Sequence, residues 1–555
     1  MFRLALAFAA AAALIAPTLT AAEKPKLIVA VSVDQFAQEY LIRFADNFSD
    51  SGAFRRVEKE GARFSQCHHR HAFTVTAPGH AVQLTGAYPA AHGIIGNNWF
   101  DRLSGKDVFC CDDPAATIIG LPMAKGVSPK NMQVETVGDV LRLTTANRSK
   151  VFGVAIKERA AILMAGHNAN AAFWLDDNLW VTSSYYRDDL PGYLRLLNEQ
   201  QAIERYRGKS WDLLLAKDKY HNIGPDQNAW ENPPKGFTSE FPHQLAAKGQ
   251  LTTLEYGEHV LFSPYGIEYT LEAARAIIEG EQLGRDEFPD LLCINFSTND
   301  YIGHAFGPHS LEVEDITYQT DRQLGAFLRY LDQYVGAGQW TFALTADHGV
   351  APIAEYAKQF KLPAARSPLG SLSQIKSKLE ARLREKLGAA ASDPPVIQKV
   401  EEIQVYLQHD HPVFLKEGTS DQFALAQRVV RDWLLDQPAV VLAMTRDELL
   451  SGAGGQLQQQ LQRHFHPRRS GDVLYVLKPF NLPGAKGTTH GSPWHYDTHV
   501  PMLLVGAGIA KGKFDRPVGP ACLASTAAEL LGVDFPSGNA EQPLREALVK
   551  EALVK

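Results

Sequence analysis

Five runs along the chain are apolar almost without interruption: KLIVAVSVD (26–34), SKVFGVAI (149–156), DLLCINFS (290–297), WTFALTAD (340–347) and HVPMLLVGAG (499–508). Runs of this length, rich in β-branched residues, fit strands buried on both faces of a parallel sheet. Between them, LEAARAIIEGEQLG (271–284) and ITYQTDRQLGAFLRYLDQYV (316–335) carry helical patterns, the second opening after several acidic residues as helix starts often do. The alternation predicts an α/β fold: a mainly parallel central sheet flanked by helices. Two stretches break the rhythm. Residues 186–262 are rich in Tyr, Trp, Asn and Pro, and 355–485 contain helix and strand patterns of their own, including SLSQIKSKLEARLREKLG and DQFALAQRVVRDWLLDQ. Both are expected to be inserted segments capping the sheet of one catalytic domain, residues 23–555. The closing EALVKEALVK reads as a frayed helix.

The N-terminus changes the picture of location. Arg3 precedes an apolar run broken by Pro17, with Thr20 and Ala22 at the −3 and −1 positions of a cleavage site. This predicts a signal peptide over residues 1–22 and an exported, periplasmic protein without a membrane span after its removal. The net charge of −7 becomes −8 once Arg3 is lost, and no dense Lys/Arg block follows. A nucleic acid is therefore not expected as the main partner. Five cysteines are too few for a disulfide scaffold, and a single structural bridge is expected around the turn at Cys110 and Cys111.

Candidate chemistry gathers at the ends of the strand-like runs. Asp34 closes the first, Asp300 and His304 follow the third in NDYIGHAFGPHS, Asp347 and His348 close the fourth in TADHG, and His490 lies in TTHGS. Ligands of open α/β sheets bind beyond the carboxyl ends of strands, so these residues are candidates to converge. Each alone has a plainer reading as a turn cap, a strand end or a loop histidine. Together, three aspartates and three histidines supply two three-ligand sets of the mixed kind that suits Zn²⁺ and two-metal hydrolysis. His499, in YDTHVP, competes with His490 for the sixth position. The clusters His68-His69-His71, His409-His411 and His464-His466 have no matching carboxylate at a strand end and are expected to be structural or exposed. In FTVTAPGHAVQLTGAYPAAHGIIGNN (73–98), Thr76 stands before Ala77 and Pro78. It is either a helix N-cap or a hydroxyl nucleophile at a helix N-terminus.

With Thr76 added, the pattern resembles the alkaline phosphatase superfamily, in its branch of nucleotide pyrophosphatase/phosphodiesterases and monomeric threonine-nucleophile alkaline phosphatases. The matching motifs run from residue 27 to about residue 510. The resemblance implies an alkaline-phosphatase-like fold and two Zn²⁺ per chain, one held by Asp34, Asp347 and His348, the other by Asp300, His304 and His490. It implies Thr76 as nucleophile, Asn97 as a contact to a phosphoryl oxygen with Asn98 as the alternative, and Lys157 and Arg159 as the Lys-x-Arg pair that binds phosphate in the monoesterases. The expected activity is alkaline phosphatase, a monomeric phosphate monoesterase working through a phosphothreonine intermediate. Three alternatives remain. A phosphodiesterase would use the same site, a sulfatase lacks its Cys/Ser-x-Pro-x-Arg motif here, and a noncatalytic zinc-binding envelope protein would have no need of Thr76.

Overall fold

The computed structural model describes residues 24–121, 124–222, 224–415 and 421–549. The signal-peptide call and the last residues of the terminal repeat lie outside them. All five apolar runs form strands: β1 (Leu27–Val33), β2 (Val151–Val154), β3 (Asp290–Phe296), β4 (Trp340–Thr345) and β5 (Met502–Gly506). They occupy the middle of an eleven-stranded sheet in the order β5-β4-β1-β3-β2. Every residue of β1, β3 and β4 is buried, the reason these segments carry no alternation of polar and apolar positions. Each Val, Leu or Ile so enclosed contributes about 1.5–3 kcal/mol relative to exposure.

The register decides what the sheet does. β1 pairs in parallel with β3, from Leu27↔Asp290 to Val33↔Phe296, and with β4, from Leu27↔Trp340 to Ser32↔Thr345. The three strands therefore finish level, and Asp34, the turn after Phe296 and Asp347 leave the sheet at one edge. β2 pairs in parallel with β3, bringing the segment after Val154 to the same edge. β5 differs in direction, lying antiparallel to β4, so His499 enters the sheet at this edge while the chain after Gly506 leaves at the other.

Helices cover both faces. Residues 271–280 of the first helical pattern lie in the helix Pro264–Gly280 and 316–331 of the second in Leu311–Leu331, whose N-cap Ser310 accepts from the Val313 amide; both helices start earlier and end sooner than the patterns. Residues 397–477 contain a separate four-stranded antiparallel sheet packed on the helices Leu372–Leu387 and Gln422–Leu435 around Leu379, Leu383, Val405 and Val430. The five cysteines are buried and unbridged, and the Cys110 and Cys111 sulfurs stand 3.9 Å apart. The bridge expected at that turn is absent because this apolar pocket of Trp99, Ile118 and Met132 accommodates both thiols as small hydrophobes. Among the described residues no helix is long and apolar enough to cross a membrane.

Candidate active site

Four elements meet at the shared strand edge. Asp34 follows β1 directly and its amide donates to the Phe296 carbonyl, 3.1 Å away. After β3 the chain turns into helix α1 (Thr298–Phe306), whose first and last turns hold Asp300 and His304. Their i,i+4 spacing puts both on one helix face, and Gly307 at φ 84 ends the helix. The His304 Nε2 lies 3.1 Å from Asp300 Oδ1, and His490 Nε2 lies 3.6 Å from the same oxygen. After β4, His348 Nε2 lies 3.1 Å from Asp347 Oδ2 and 3.5 Å from Asp34 Oδ1. The six residues singled out at the strand ends are thus one continuous cluster.

The three histidines are oriented in the same way. His304 Nδ1 faces the Thr488 carbonyl at 2.8 Å, His490 Nδ1 the Thr74 carbonyl at 2.8 Å, and His348 Nδ1 the Gly349 carbonyl at 3.0 Å. A carbonyl only accepts, so each Nδ1 carries a proton and each Nε2 faces the carboxylates, the orientation of histidines that hold a metal. Asp34 Oδ1, Asp347 Oδ2 and His348 Nε2 are buried and make no hydrogen bond. Three enclosed carboxylates, two of them with an open oxygen, and histidine Nε2 atoms aimed among them fit a divalent cation, since buried polar atoms are otherwise satisfied. One ligand atom each from Asp300, His304 and His490 lies within 4.8 Å of the others, and the same holds for Asp34, Asp300 and His348.

The electrostatics point the same way. Asp34 is pushed well above the usual carboxylate range, first by burial and then by the Asp347 charge. Burial acts on Asp300 in the same sense, but His304 and Lys157 outweigh it and hold it well below that range. His348, which burial would lower, is carried up to about 9 by Asp347. Lys157 supplies much of the charge that balances the aspartates. Its Nζ lies 2.8 Å from Asp34 Oδ2 and 2.5 Å from Asp300 Oδ2, joining one aspartate from each predicted ligand set. Lys157 precedes a helix, α2 (Glu158–Ala165), that begins shortly after β2. Arg159 stands in the first turn of α2, its Nη1 3.6 Å from Glu158, and makes no ion pair with the three aspartates.

Thr76 is the first residue of a ten-residue helix that is buried throughout (Thr76–Thr85). The N-cap position belongs to Val75, which is extended, and no side chain caps the helix. The capping role expected of Thr76 is therefore not used: one residue inside the helix, its hydroxyl cannot take the place of a cap. Asn97 Oδ1 accepts the next amide, Ala77 N–H, at 2.9 Å, which sets Asn97 beside the helix start. Asn98 is exposed. The helix is pressed onto the carboxylates at Gly79, where a Cβ would stand 2.3 Å from the Asp347 carbonyl oxygen.

His80 is the residue that sequence reasoning missed. Its Nδ1 lies 2.8 Å from the Thr76 carbonyl and 3.3 Å from Asp347 Oδ2, and its Nε2 accepts from Asn295 at 2.8 Å. With both ring nitrogens committed, His80 ties the Thr76 helix to β3 and to Asp347. The i,i+4 interval from Thr76 to His80 was the available signal, but only the Asn295 contact gives it meaning. His499 lies elsewhere, its Nε2 donating to the Ser65 carbonyl at 2.8 Å.

Comparison with known proteins agrees with this geometry. Residues 28–425 match the type I phosphodiesterase/nucleotide pyrophosphatase family. The chain is 35% identical to a calcium-transporting ATPase of Myroides odoratus and 33% identical to the alkaline phosphatase PafA of Elizabethkingia meningoseptica, each across 95% of both chains. The crystal structure of wild-type PafA superposes with a TM-score of 0.86 at 32% identity, covering 96% of this chain and 100% of that one. PafA has also been solved as a variant replaced at a threonine, an asparagine, a lysine and an arginine. The extent of these matches shows that the chain belongs to the type I phosphodiesterase/nucleotide pyrophosphatase family, within the alkaline phosphatase superfamily.

Proposed function

We propose that the protein is an exported alkaline phosphatase that hydrolyses phosphate monoesters with two bound Zn²⁺ ions. The observation that carries this reading is the set of buried, unpartnered atoms of Asp34, Asp347 and His348, continuous with Asp300, His304 and His490 and pressed against the Thr76 helix. Asp34, Asp347 and His348 hold one ion, and Asp300, His304 and His490 the other. Bound zinc would supply positive charge that favours an ionised oxygen nucleophile and offsets charge developing on the leaving oxygen.

The chain supplies the rest. Thr76 Oγ attacks phosphorus, the bond to the ester oxygen breaks, and the alcohol leaves with a proton. Water then attacks the phosphothreonine, releasing inorganic phosphate and restoring the hydroxyl. Two inversions retain configuration at phosphorus. Asn97, at the N-terminus of the Thr76 helix, orients a phosphoryl oxygen where free amides and the helix dipole favour an anion. With zinc balancing the carboxylates, Lys157 would be available with Arg159 to bind the phosphate, the arginine by a two-pronged contact and the lysine as a point charge. The same four residue types, in the same chain order, are replaced together in the PafA variant.

A monoester dianion exposes more charged oxygen than a diester, so this pair favours monoesters over the diesterase reading. Breaking a phosphate ester or anhydride bond is chemistry common to the relatives named a phosphatase and an ATPase. In this reading residues 1–22 are the signal peptide, the segments near 186–262 and 355–485 are insertions on one catalytic domain, and the mature enzyme works as a periplasmic monomer. The test is metal analysis coupled to kinetics on p-nitrophenyl phosphate and the corresponding diester. Zinc-dependent activity with monoester preferred is expected. Full activity without transition metal, or a preference for the diester, overturns the proposal.

A further inference from the structure

Behind the active site, on the surface, three more histidines meet. His68 and His499 face each other across an isolated antiparallel bridge, with ring centroids 4.2 Å apart and planes 9° apart. His495 opens the short helix His495–Thr498 and its ring lies 4.5 Å from that of His499 and 5.2 Å from that of His68. One ligand atom from each of the three lies within 4.8 Å of those of the other two. From the sequence, His68 is expected to be structural or exposed and His499 is a competitor of His490, while His495 carries no signal of its own.

We propose that His68, His495 and His499 form a third metal site, for a borderline divalent ion such as Zn²⁺, separate from the catalytic pair. The donor chemistry selects the ion: three imidazoles without a carboxylate suit zinc, nickel or copper, whereas calcium and magnesium require oxygen. The hydrogen bonds leave lone pairs for it. His499 Nε2–H is spent on the Ser65 carbonyl, so Nδ1 is the lone-pair nitrogen. His68 has only 3.4 Å contacts, to Thr498 Oγ1 and Gln66 Oε1.

The spacing is close to what an ion needs. A tetrahedral zinc with bonds of about 2.0–2.1 Å holds its donors about 3.3 Å apart, so donors within 4.8 Å of one another need close by at most about 1.5 Å. The stacked His68 and His499 rings must also turn out of parallel for their lone pairs to converge, and the exposed His495 is free to follow. His68 and His495 border a cleft together with Gln460, Arg463 and Trp494, which gives solvent and metal a way in.

Such an ion would act as a brace. It joins the segment at Cys67–His68 to residues 495–499, whose backbone supports the active site directly. The Asp497 carbonyl accepts from Gly349 N–H at 2.7 Å and the Tyr496 carbonyl from Val350 N–H at 3.0 Å, immediately after His348.

The test compares bound zinc in the full mature protein and in His495→Ala and His68→Gln variants, each equilibrated with micromolar zinc, washed free of loose metal and checked for native circular dichroism. The catalytic ligands are intact in all three, so the difference between them is independent of the catalytic reading. One zinc per chain fewer in both variants is expected, together with a smaller zinc-induced rise in Tm. Anomalous diffraction at the zinc edge should place the lost ion between the three rings. Equal zinc content in wild type and variants, or no anomalous peak between the rings in wild-type crystals soaked in zinc, overturns the proposal.

Discussion

Replacing Lys157 with methionine should move two properties of the protein in opposite directions. The Lys157 ammonium lies 2.8 Å from Asp34 and 2.5 Å from Asp300, and all three groups are buried. At an effective dielectric constant of about 20, each contact carries about 6 kcal/mol of Coulomb attraction before desolvation is subtracted. Deleting one partner of such a buried arrangement costs about 3–5 kcal/mol, because charge is left uncompensated. That cost falls on the metal-free protein. With zinc bound, the ion itself balances Asp34 and Asp300. Lys157→Met should therefore raise zinc affinity roughly 100-fold, the equivalent of about 3 kcal/mol at 1.4 kcal/mol per tenfold. Monoester kcat/KM should fall meanwhile by about 10–100-fold, since a charge-assisted contact to phosphate contributes about 1.5–3 kcal/mol. Competition with a chelator of known affinity reads the first effect, and kinetics on p-nitrophenyl phosphate at saturating zinc the second. Unchanged or weakened zinc binding would refute the idea that this lysine stands in for the metal.

Three further outcomes are expected. Thr76→Ala should fold and keep its metal while turnover drops by orders of magnitude; because Val75 occupies the cap position, urea unfolding should register almost no lost cap energy, and near-normal turnover would remove Thr76 from the mechanism. Gly79→Ala places a Cβ 2.3 Å from the Asp347 carbonyl, so it should cost about 1–3 kcal/mol of stability and lower zinc content, whereas a native Tm and metal content would mean the helix has room to shift. His464 is fully buried and lowered to about 3 by that burial, so the unfolded chain, with a histidine near 6.5, binds more protons between these values. Its contribution is complete above about pH 6.5 and is lost as pH falls toward about 3, amounting to about 2 kcal/mol at pH 5. His464→Asn should flatten the acid side of the stability profile, and parallel profiles for variant and wild type would contradict the assignment.

The sequence by itself determined the sheet and most of the chemistry at its edge. Strands buried on both faces must be largely apolar, so β1, β3 and β4 announce themselves, and the first charged residues after them, Asp34, Asp300 and Asp347, mark where the sheet ends. The four-residue interval from Asp300 to His304 likewise records a shared helix face, once Gly303 and Gly307 are seen to allow the helix rather than break it.

Only the tertiary structure decided between His490 and His499, because the choice rests on which backbone carbonyl holds each Nδ1 or Nε2, and spacing carries no record of that. It also reversed β5, moved the cap from Thr76 to Val75, turned Lys157 onto the carboxylates and gave His80 its partner in Asn295. His68, His495 and His499 meet for the same reason. Parallel strands with long crossovers bring together residues far apart in the chain, and the local pattern that specifies each element says nothing about its neighbour across the gap.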